Sequence, residues 1–379
     1  MPWKTMDVRQ QRVEFVVAAH QKQKPFQEVC KEFGISRPTG YLWMERYRRQ
    51  GLAGIAERSR RPQYSPQRTA ASEEQQVLEL RQRFPDWGAR KLQWLLRRQQ
   101  GLDLAVSTVH RILLRRGMVR AQDRHPQAVR RFRREHPNEL WQMDFKSPRG
   151  WDTHVGPLSV LDDHSRYLVA LAATETTQAE PVREHLAEAF VRCGLPEAML
   201  MDHGTPWWNT QSAGGITGLA IWLMKQGIRL YWSGFRHPQT QGKVERFHGC
   251  LQRAIALRGL PHQGRQAWLD AFRQEHNEVR PHEALGMNTP TQLWRRSPRN
   301  YDPHPPRWQY PEGAEVKHLG QQGQVRIAGK IHYFKPLAGD WVRLLRMEDR
   351  ILVYYCNTVV REIEAQSHRS VHVERYLSS

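Results

Sequence analysis

The chain has 379 residues, enough for about two to four domains with at least one sizeable core. Its 58 Lys and Arg against 38 Asp and Glu give a formal net charge of +20, which favours a polyanionic partner such as nucleic acid, although a merely soluble or ribosome-associated basic protein has the same balance. No apolar run could span a membrane, the N-terminal stretch lacks an apolar signal core, and the four cysteines show neither CxxC nor CxxH spacing. We therefore expect a cytoplasmic protein with reduced thiols, without a membrane span, a disulfide framework or a zinc knuckle.

Residues 7–50 predict three short helices, within a helix-turn-helix domain over residues 1–56. Asp7 is the predicted cap of the first helix, and a turn at residues 34–36 separates the second from the third. The third helix has the spacing of a recognition helix, with Val29, Phe33, Ile35 and Leu42 inside and basic or polar side chains outside. A plain interaction module has the same pattern. The DNA-facing residues predicted here are Arg37, Thr39 and Arg46, with Arg48 and Arg49 on the same exposed side.

A basic linker over residues 57–71 follows, in which ERSRRPQYSPQR carries two prolines and four arginines. Its composition is that of a solvated, extended segment. Because arginine is favoured in a narrow minor groove, Arg58, Arg60 and Arg61 are also candidates for minor-groove contact.

Residues 72–119 predict a second helix-turn-helix or winged-helix-like domain. Ser72 with Gln75 resembles a capping box for its first helix, and Ser107 is the predicted cap of its third. The groove-facing candidates at the start of that third helix are Ser107, Thr108 and Arg111, beside His110. An Arg-rich connector covers residues 120–137.

From Glu139 the pattern changes to alternation, which predicts a mixed sheet with helices on its faces over residues 138–300. In ELWQMDF, Gln142 and Asp144 share one face, while Trp141 and Met143 share the other. Two further strands surround the turn DDHSR, and a fourth strand ends on Asp202. The overall class is multidomain, with all-α modules, then an α/β core, then a small all-β domain.

The all-β domain is predicted over residues 313–375, from the five short strands QVRIA, KIHYF, DWVRLLR, ILVYY and VVREI. Such spacing is typical of a small barrel of the SH3-like kind. A barrel of this size can serve as a DNA clamp, a dimer contact or a spacer, and the pattern does not choose between them.

Three carboxylates are the candidates for chemistry: Asp144, Asp202 and Glu245. The two aspartates lie on strands or at their ends, and Glu245 lies in the first turns of a helix that follows a Pro/Gly-rich loop, so all three could meet at one edge of the sheet. A pair of Mg²⁺ ions held by such oxygens would serve phosphodiester chemistry, and arginine, lysine and histidine surround Glu245 as phosphate partners would.

Each of these residues also has a plain structural interpretation. An aspartate at a strand end is most often a turn former or cap, and a helix glutamate is most often solvated or paired with a neighbour such as Arg246. Asp162 and Asp163 compete with Asp144, and we interpret them as turn and hydrogen-bonding residues. The histidines of this region, His203, His237 and His248, are better suited to phosphate contact than to a hard metal ion.

Residues 139–286 resemble the catalytic core of the retroviral-integrase superfamily, and the whole chain resembles an insertion-sequence transposase of the IS481/IS3 type. The motifs that carry this resemblance are WQMDF, LDDHSRY, LMDHGTPWWN, HPQTQGKVERFHG and NEVRPHEALGMNTP. The resemblance implies a ribonuclease-H-like fold and Mg²⁺- or Mn²⁺-dependent DNA cleavage and joining. It also implies that Asp144, Asp202 and Glu245 are the catalytic and metal-binding triad, holding two ions.

Two departures from the family stand out. His203 occupies a position where many relatives carry Asn, and the interval from Asp202 to Glu245 is longer than in many relatives, with the excess in TQSAGGITG at 210–218. The zinc-binding domain of retroviral integrases is absent, and two helix-turn-helix units stand in its place.

The resulting hypothesis is a bacterial DNA transposase, cytoplasmic and nucleoid-associated. It binds double-stranded terminal inverted repeats and target DNA, and it assembles as a homo-oligomer on DNA. The phosphate or strand contacts near Glu245 are assigned to Arg236, Gln239, Gln241, Lys243 and Arg246. Two alternatives stay open: a transposase-derived DNA-binding regulator with an inactive core, and a sequence-independent nuclease.

Overall fold

In the computed structural model of the chain, the described residues are 8–56, 69–119, 133–146, 151, 155–209, 215–232, 242–364 and 370–371. They form two compact units, residues 1–69 and 70–379. Several predictions lie outside the described residues: the Asp7 cap, the linker arginines, most of the basic connector, and part of the loop at 210–218. Among the helices of the described residues, none is long and apolar enough to cross a membrane.

The first unit contains the three predicted helices, α1 (Val8–Gln21), α2 (Phe26–Glu32) and α3 (Arg37–Gln50), followed by a 3-10 helix at Gly51–Ile55. Their core includes Phe15 and Cys30, and α3 approaches it so closely at Gly40 that an added Cβ would lie 2.7 Å from the Cys30 sulfur. The prediction that Leu42 points inward is wrong, because its side chain is 45% exposed. The partly buried hydrophobic residues of α3 that pack on this core are Trp43, Met44 and Tyr47.

The second unit begins with another three helices, α4 (Ala71–Arg83), α5 (Ala89–Gln100) and α6 (Val106–Arg115). Both predicted caps are wrong, because Ser72 and Ser107 are the second residues of α4 and α6, whereas the N-cap positions are occupied by Ala70 and Ala105. Glu73 accepts a hydrogen bond from the Ala70 amide (3.1 Å) and closes the start of α4 instead. Residues 69–119 contain no strand, so the described part of this module has no wing.

The central sheet follows with β1 (Trp141–Phe145), β2 (Leu158–Asp162), β3 (Leu168–Ala172), β4 (Ala198–Met201) and β5 (Arg229–Trp232). Its strand order is β3-β2-β1-β4-β5. The first three strands are antiparallel, and β1, β4 and β5 are parallel, which confirms the predicted mixed sheet.

Helices cover both faces of this sheet. Trp141 and Met143 of β1 belong to a core shared with α7 (Ala179–Cys193) and α8 (Gly218–Lys225). The opposite face packs against α9 (Gly242–Arg258) and α10 (Arg265–Gln274), which continues into a π-helical turn at Glu275–Val279. A 3-10 turn (Glu283–Leu285) and α11 (Pro290–Leu293) follow. The alternation in β1 therefore sorts its side chains between two helical layers, as predicted.

The C-terminal region contains the five predicted strands as β7 (Gln324–Ile327), β8 (Lys330–Tyr333), β9 (Trp341–Arg346), β10 (Arg350–Tyr355) and β11 (Thr358–Glu364). Two strands were not predicted, β6 (Glu315–His318) and β12 (Ser370–Val371). The described strands form an open sheet of order β12-β11-β10-β9-β6 and a separate β7-β8 hairpin, so the predicted closed barrel is not confirmed. This sheet shares its hydrophobic core with α7 and α8, and Asn357 donates a hydrogen bond to the Gly227 carbonyl (2.9 Å).

Candidate metal centre

The site begins with α9, which lies on the face of β1 that presents Gln142 and Asp144. The Val244 amide donates to the Gln142 side-chain oxygen (3.3 Å), and the His248 Nδ1 lies 3.6 Å from Asp144 Oδ2. His248 is buried and its Nε2 is 3.2 Å from the Ser159 hydroxyl. Glu245 lies on the first turn of this helix and is exposed. These contacts bring the start of α9 to the edge of the sheet where Asp144 lies.

Asp202 follows the last residue of β4, the strand that runs parallel to β1. Its Oδ1 accepts hydrogen bonds from the Gly204 amide (2.9 Å) and from the Trp207 indole nitrogen (2.5 Å). Trp207 is buried and stacks on Phe145, the neighbour of Asp144, with ring centroids 5.2 Å apart. A Cβ at position 204 would lie 2.9 Å from the same carboxylate oxygen, so a larger residue there would push the Asp202 side chain away. The loop after β4 therefore holds Asp202 beside the end of β1.

Asp202 and Glu245 both lie within electrostatic reach of Asp144. Burial raises the pKa of Asp144 to about 7, and the nearby charges of Asp202 and, more weakly, Glu245 raise it further. Burial also lowers the pKa of His248 to about 3, so its imidazole is neutral. The expectation that His248 contacts phosphate is wrong, because this ring is enclosed between Asp144 and Ser159.

The donor set suits a hard divalent cation, since it consists of carboxylate oxygens, and a bound cation would remove the repulsion that acts on Asp144. Within the described ranges, however, no three His, Cys, Asp or Glu side chains are grouped closely enough to hold one ion. Asp202 is held by its hydrogen bonds with Gly204 and Trp207, whereas Glu245 is exposed at the start of α9. A shared ion would therefore require these side chains to move closer together.

Asp162 and Asp163 are occupied by hydrogen bonds, in agreement with their predicted role. Asp162 accepts from the Asn138 amide (2.7 Å) and from the amide and hydroxyl of Ser165 (2.8 and 2.6 Å). Asp163 accepts from the side chain of Gln142 (2.8 Å) and is fully buried. These two residues fix the turn after β2 and do not join the site.

Lys243 contacts Asp163, with its ammonium 2.5 Å from Oδ2, and only 14% of the Lys243 side chain is exposed. Burial lowers the pKa of Lys243 to about 8, against the opposing charge of Asp163. A phosphate contact by Lys243, as predicted, would have to compete with this buried ion pair. Arg246 is exposed, and its contact with DNA stays a prediction.

The predicted DNA-facing residues of the helical modules differ in their surroundings. Arg37 is exposed, the Thr39 hydroxyl lies 2.9 Å from that of Ser36, and the Arg46 guanidinium lies 4.8 Å from the Trp43 ring centroid. On α6, Ser107 and Arg111 are exposed, and Arg111 donates to the Ser107 carbonyl and the Thr108 hydroxyl, both at 3.3 Å. The predicted contacts that lie outside the described residues are Arg58, Arg60, Arg61, Arg236, Gln239 and Gln241.

Sequence reasoning missed the residues that position the carboxylates. Gln142 could have been found from its place two residues before Asp144 on the same strand face. Trp207 lies in the motif LMDHGTPWWN, yet nothing local shows which of its two tryptophans reaches Asp202. His248 was noticed, but its partner Ser159 lies 89 positions earlier in the chain, on β2.

Comparisons with known proteins identify helix-turn-helix and integrase core domains in this chain. Residues 11–63 match the model of a helix-turn-helix domain, and residues 39–113 match that of a homeodomain-like domain. Residues 134–238 and 226–290 match models of the integrase core domain. An uncharacterized 31.7 kDa protein of insertion element IS407 from Burkholderia multivorans is 26% identical over 228 residues, which are 57% of this chain and 78% of that protein.

Two solved structures are also similar. The HTLV-2 integrase catalytic core domain in complex with magnesium is 15% identical, with a TM-score of 0.34 over 42% of this chain and 99% of that chain. The simian T-cell lymphotropic virus intasome, in complex with PP2A regulatory subunit B56 gamma, is 17% identical, with a TM-score of 0.37 over 73% of this chain and 91% of that chain.

Proposed function

We propose that this chain, which is an insertion-sequence type of transposase with helix-turn-helix domains and an integrase-like core, cleaves DNA at the ends of its element and joins them to target DNA. The observation that supports the proposal is that Asp144 lies on β1 and Asp202 directly follows the adjacent parallel strand β4, with Asp202 and Glu245 both near enough to act on Asp144. Water attacks a phosphodiester and frees a 3′-OH, which then attacks a target phosphodiester as the target's own 3′ oxygen leaves.

Asp144, Asp202 and Glu245 are the residues that would hold two Mg²⁺ or Mn²⁺ ions. Bound divalent ions supply neutralisation of phosphate charge and activation of the attacking oxygen. The protein contributes orientation: Gly204 and Trp207 direct one oxygen of Asp202, and neutral His248 packs behind Asp144 without adding charge. These roles follow the general rule that hydrogen bonds to metal-binding side chains fix the geometry of those side chains.

The helical modules are proposed to bind terminal inverted repeats. Both match helix-turn-helix or homeodomain-like models, and the chain has a net charge of +20, which favours duplex DNA. Two element ends have to be brought together for joining, so we propose a homo-oligomer assembled on DNA.

The experiment uses labelled duplexes from the DNA that flanks the gene, with Mg²⁺ or Mn²⁺, and the full-length chain. Wild type should nick and join these duplexes, whereas Asp144→Asn, Asp202→Asn and Glu245→Gln should bind them and lose at least about 10³-fold in rate. Asp270→Asn is the matched control, because that carboxylate is half exposed on α10 and pairs only weakly with Arg273 at 3.8 Å. If wild type and Asp202→Asn bind equally and neither cuts, the chain is a DNA-binding regulator with an inactive core.

A further inference from the structure

One buried carboxylate joins the second helical module to the core. Asp86, between α4 and α5, accepts hydrogen bonds from Arg258 Nε (3.0 Å) and from Arg280 Nη1 (2.7 Å). Arg258 is the last residue of α9 and also forms a two-pronged contact with Glu275, at 2.6 and 2.7 Å. We call Asp86, Arg258, Glu275 and Arg280 the Asp86 cluster. The side chain of Asp86 is fully buried, and that of Arg280 is 2% exposed.

Neighbouring contacts extend this junction. The Arg280 guanidinium lies 5.7 Å from the Trp87 ring centroid, and Val279 packs against the apolar core of the helical module. At the rim, Arg90 of α5 pairs with Glu283 at 2.9 Å. The motif NEVRPHEALG therefore supplies much of the core's side of the junction, a role that the proposed chemistry leaves unassigned.

The cluster connects two functional elements mechanically. Helix α9 carries Glu245 in its first turn and Arg258 at its end, and its 17 residues make a rod about 25 Å long. On the other side, the apolar core of α4, α5 and α6 fixes α6, which exposes Ser107 and Arg111. Removing one partner of a buried ion pair leaves an uncompensated buried charge and is strongly destabilising, so the junction resists separation.

We propose that Asp86 is a positioning residue that holds α6 at one distance from the carboxylates, so that the protein cuts DNA a fixed number of base pairs from the sequence that α6 binds. This inference rests on the proposed function. It treats the second module as the part that sets the cutting position, in addition to binding DNA.

The first test measures the junction without DNA. Spin labels at Leu114→Cys on α6 and Ala256→Cys on α9, in a Cys250→Ser background, report the distance between these helices; both labelled positions are exposed. We expect one narrow distance distribution in the parent and a broad or displaced one in Asp86→Asn. Glu74→Gln is the matched control, because Glu74 pairs with Arg115 (2.7 Å) inside the module. An Asp86→Asn distribution identical to the parent's would overturn the proposal.

The second test uses the flanking-DNA duplexes with one or two base pairs inserted between the footprint of the second module and the cut phosphate. Each inserted pair moves that phosphate by about 3.4 Å, and a misplacement of about 1 Å can cost about 10²-fold in rate. Wild type should lose at least about tenfold on the longer spacers, whereas Asp86→Asn should cut native and longer spacers at similar rates with scattered cut positions.

The outcomes separate the two proposals. A wild type that cuts every spacer equally well overturns the positioning role while leaving the transposase proposal intact, and this result does not depend on whether Asp86→Asn folds. An Asp86→Asn protein that keeps the wild-type spacer preference also overturns it. If wild type cuts no duplex, the proposed function is rejected. The distance measurement then still tests whether Asp86 fixes the distance between α6 and α9.

Discussion

The indole nitrogen of Trp207 donates a 2.5 Å hydrogen bond to the Asp202 carboxylate. The same indole stacks on Phe145, the residue next to Asp144. Trp207 therefore contacts Asp202 on one side and the neighbour of Asp144 on the other. Trp207 thus fixes the position of Asp202 relative to the end of β1, where Asp144 lies, before any cation binds.

Trp207→Phe should preserve the stacking on Phe145 and remove the donor to Asp202. Loss of an orienting hydrogen bond to a metal ligand typically costs 10–100-fold in metal affinity or activity, so we expect a fall of about this size. DNA cleavage measured against Mg²⁺ concentration checks this, with DNA binding unchanged. Trp208→Phe is the control, because the Trp208 ring contacts His203 and Trp232. Equal activity of the two variants would contradict the proposed role of Trp207.

Lys243→Met should destabilise the fold by about 3 kcal/mol, because it leaves the buried Asp163 carboxylate without its cation. Exposed Arg246→Ala should leave stability unchanged and instead weaken DNA binding, with the salt dependence reduced by about one phosphate contact. Denaturant unfolding and salt-titrated binding separate these effects. If Lys243→Met changes only the salt dependence, Lys243 contacts phosphate after all.

Asn277 covers the edge strand β3, where its side chain accepts from the Leu168 amide (2.8 Å) and donates to the Leu168 carbonyl (3.0 Å). Asn277→Ala should cost about 2–4 kcal/mol, since both backbone groups lose their partner in a buried place. Gln274→Ala, on the exposed side of the preceding turn, should change stability by less than about 0.5 kcal/mol. Unfolding by denaturant gives both values, and similar values would show that Asn277 is dispensable.

Acid should destabilise the protein through His276. Burial lowers the pKa of His276 from 6.5 to about 3, so the unfolded chain binds this proton more readily than the folded chain. The stabilisation is complete above about pH 6.5 and is lost as the pH falls towards 3. Below pH 6 the stability of His276→Asn should decline less steeply than that of wild type, by up to about 1.4 kcal/mol per pH unit. Parallel curves from pH 4 to 7 would contradict this.

The spacing of apolar and polar residues along the chain predicted much of the fold. The alternation in β1 assigned Gln142 and Asp144 to one face, because successive side chains of a strand point to opposite faces. Helix caps were predicted poorly: Ser72 and Ser107 have suitable side chains, yet both lie inside their helices. A cap depends on where the chain enters the helix, and packing of the module decides that.

The sequence alone determined the succession of helical modules, mixed sheet and C-terminal strands, and it identified three carboxylates as candidates, since strand and helix periodicity are local properties. The tertiary structure decided what surrounds them. The partners Trp207 for Asp202, Asp163 for Lys243 and Arg280 for Asp86 come from separate elements that only folding brings together. Hydrogen bonds and buried ion pairs act over about 3 Å in space and do not depend on separation along the chain, so they cannot be predicted from the neighbouring residues in the sequence.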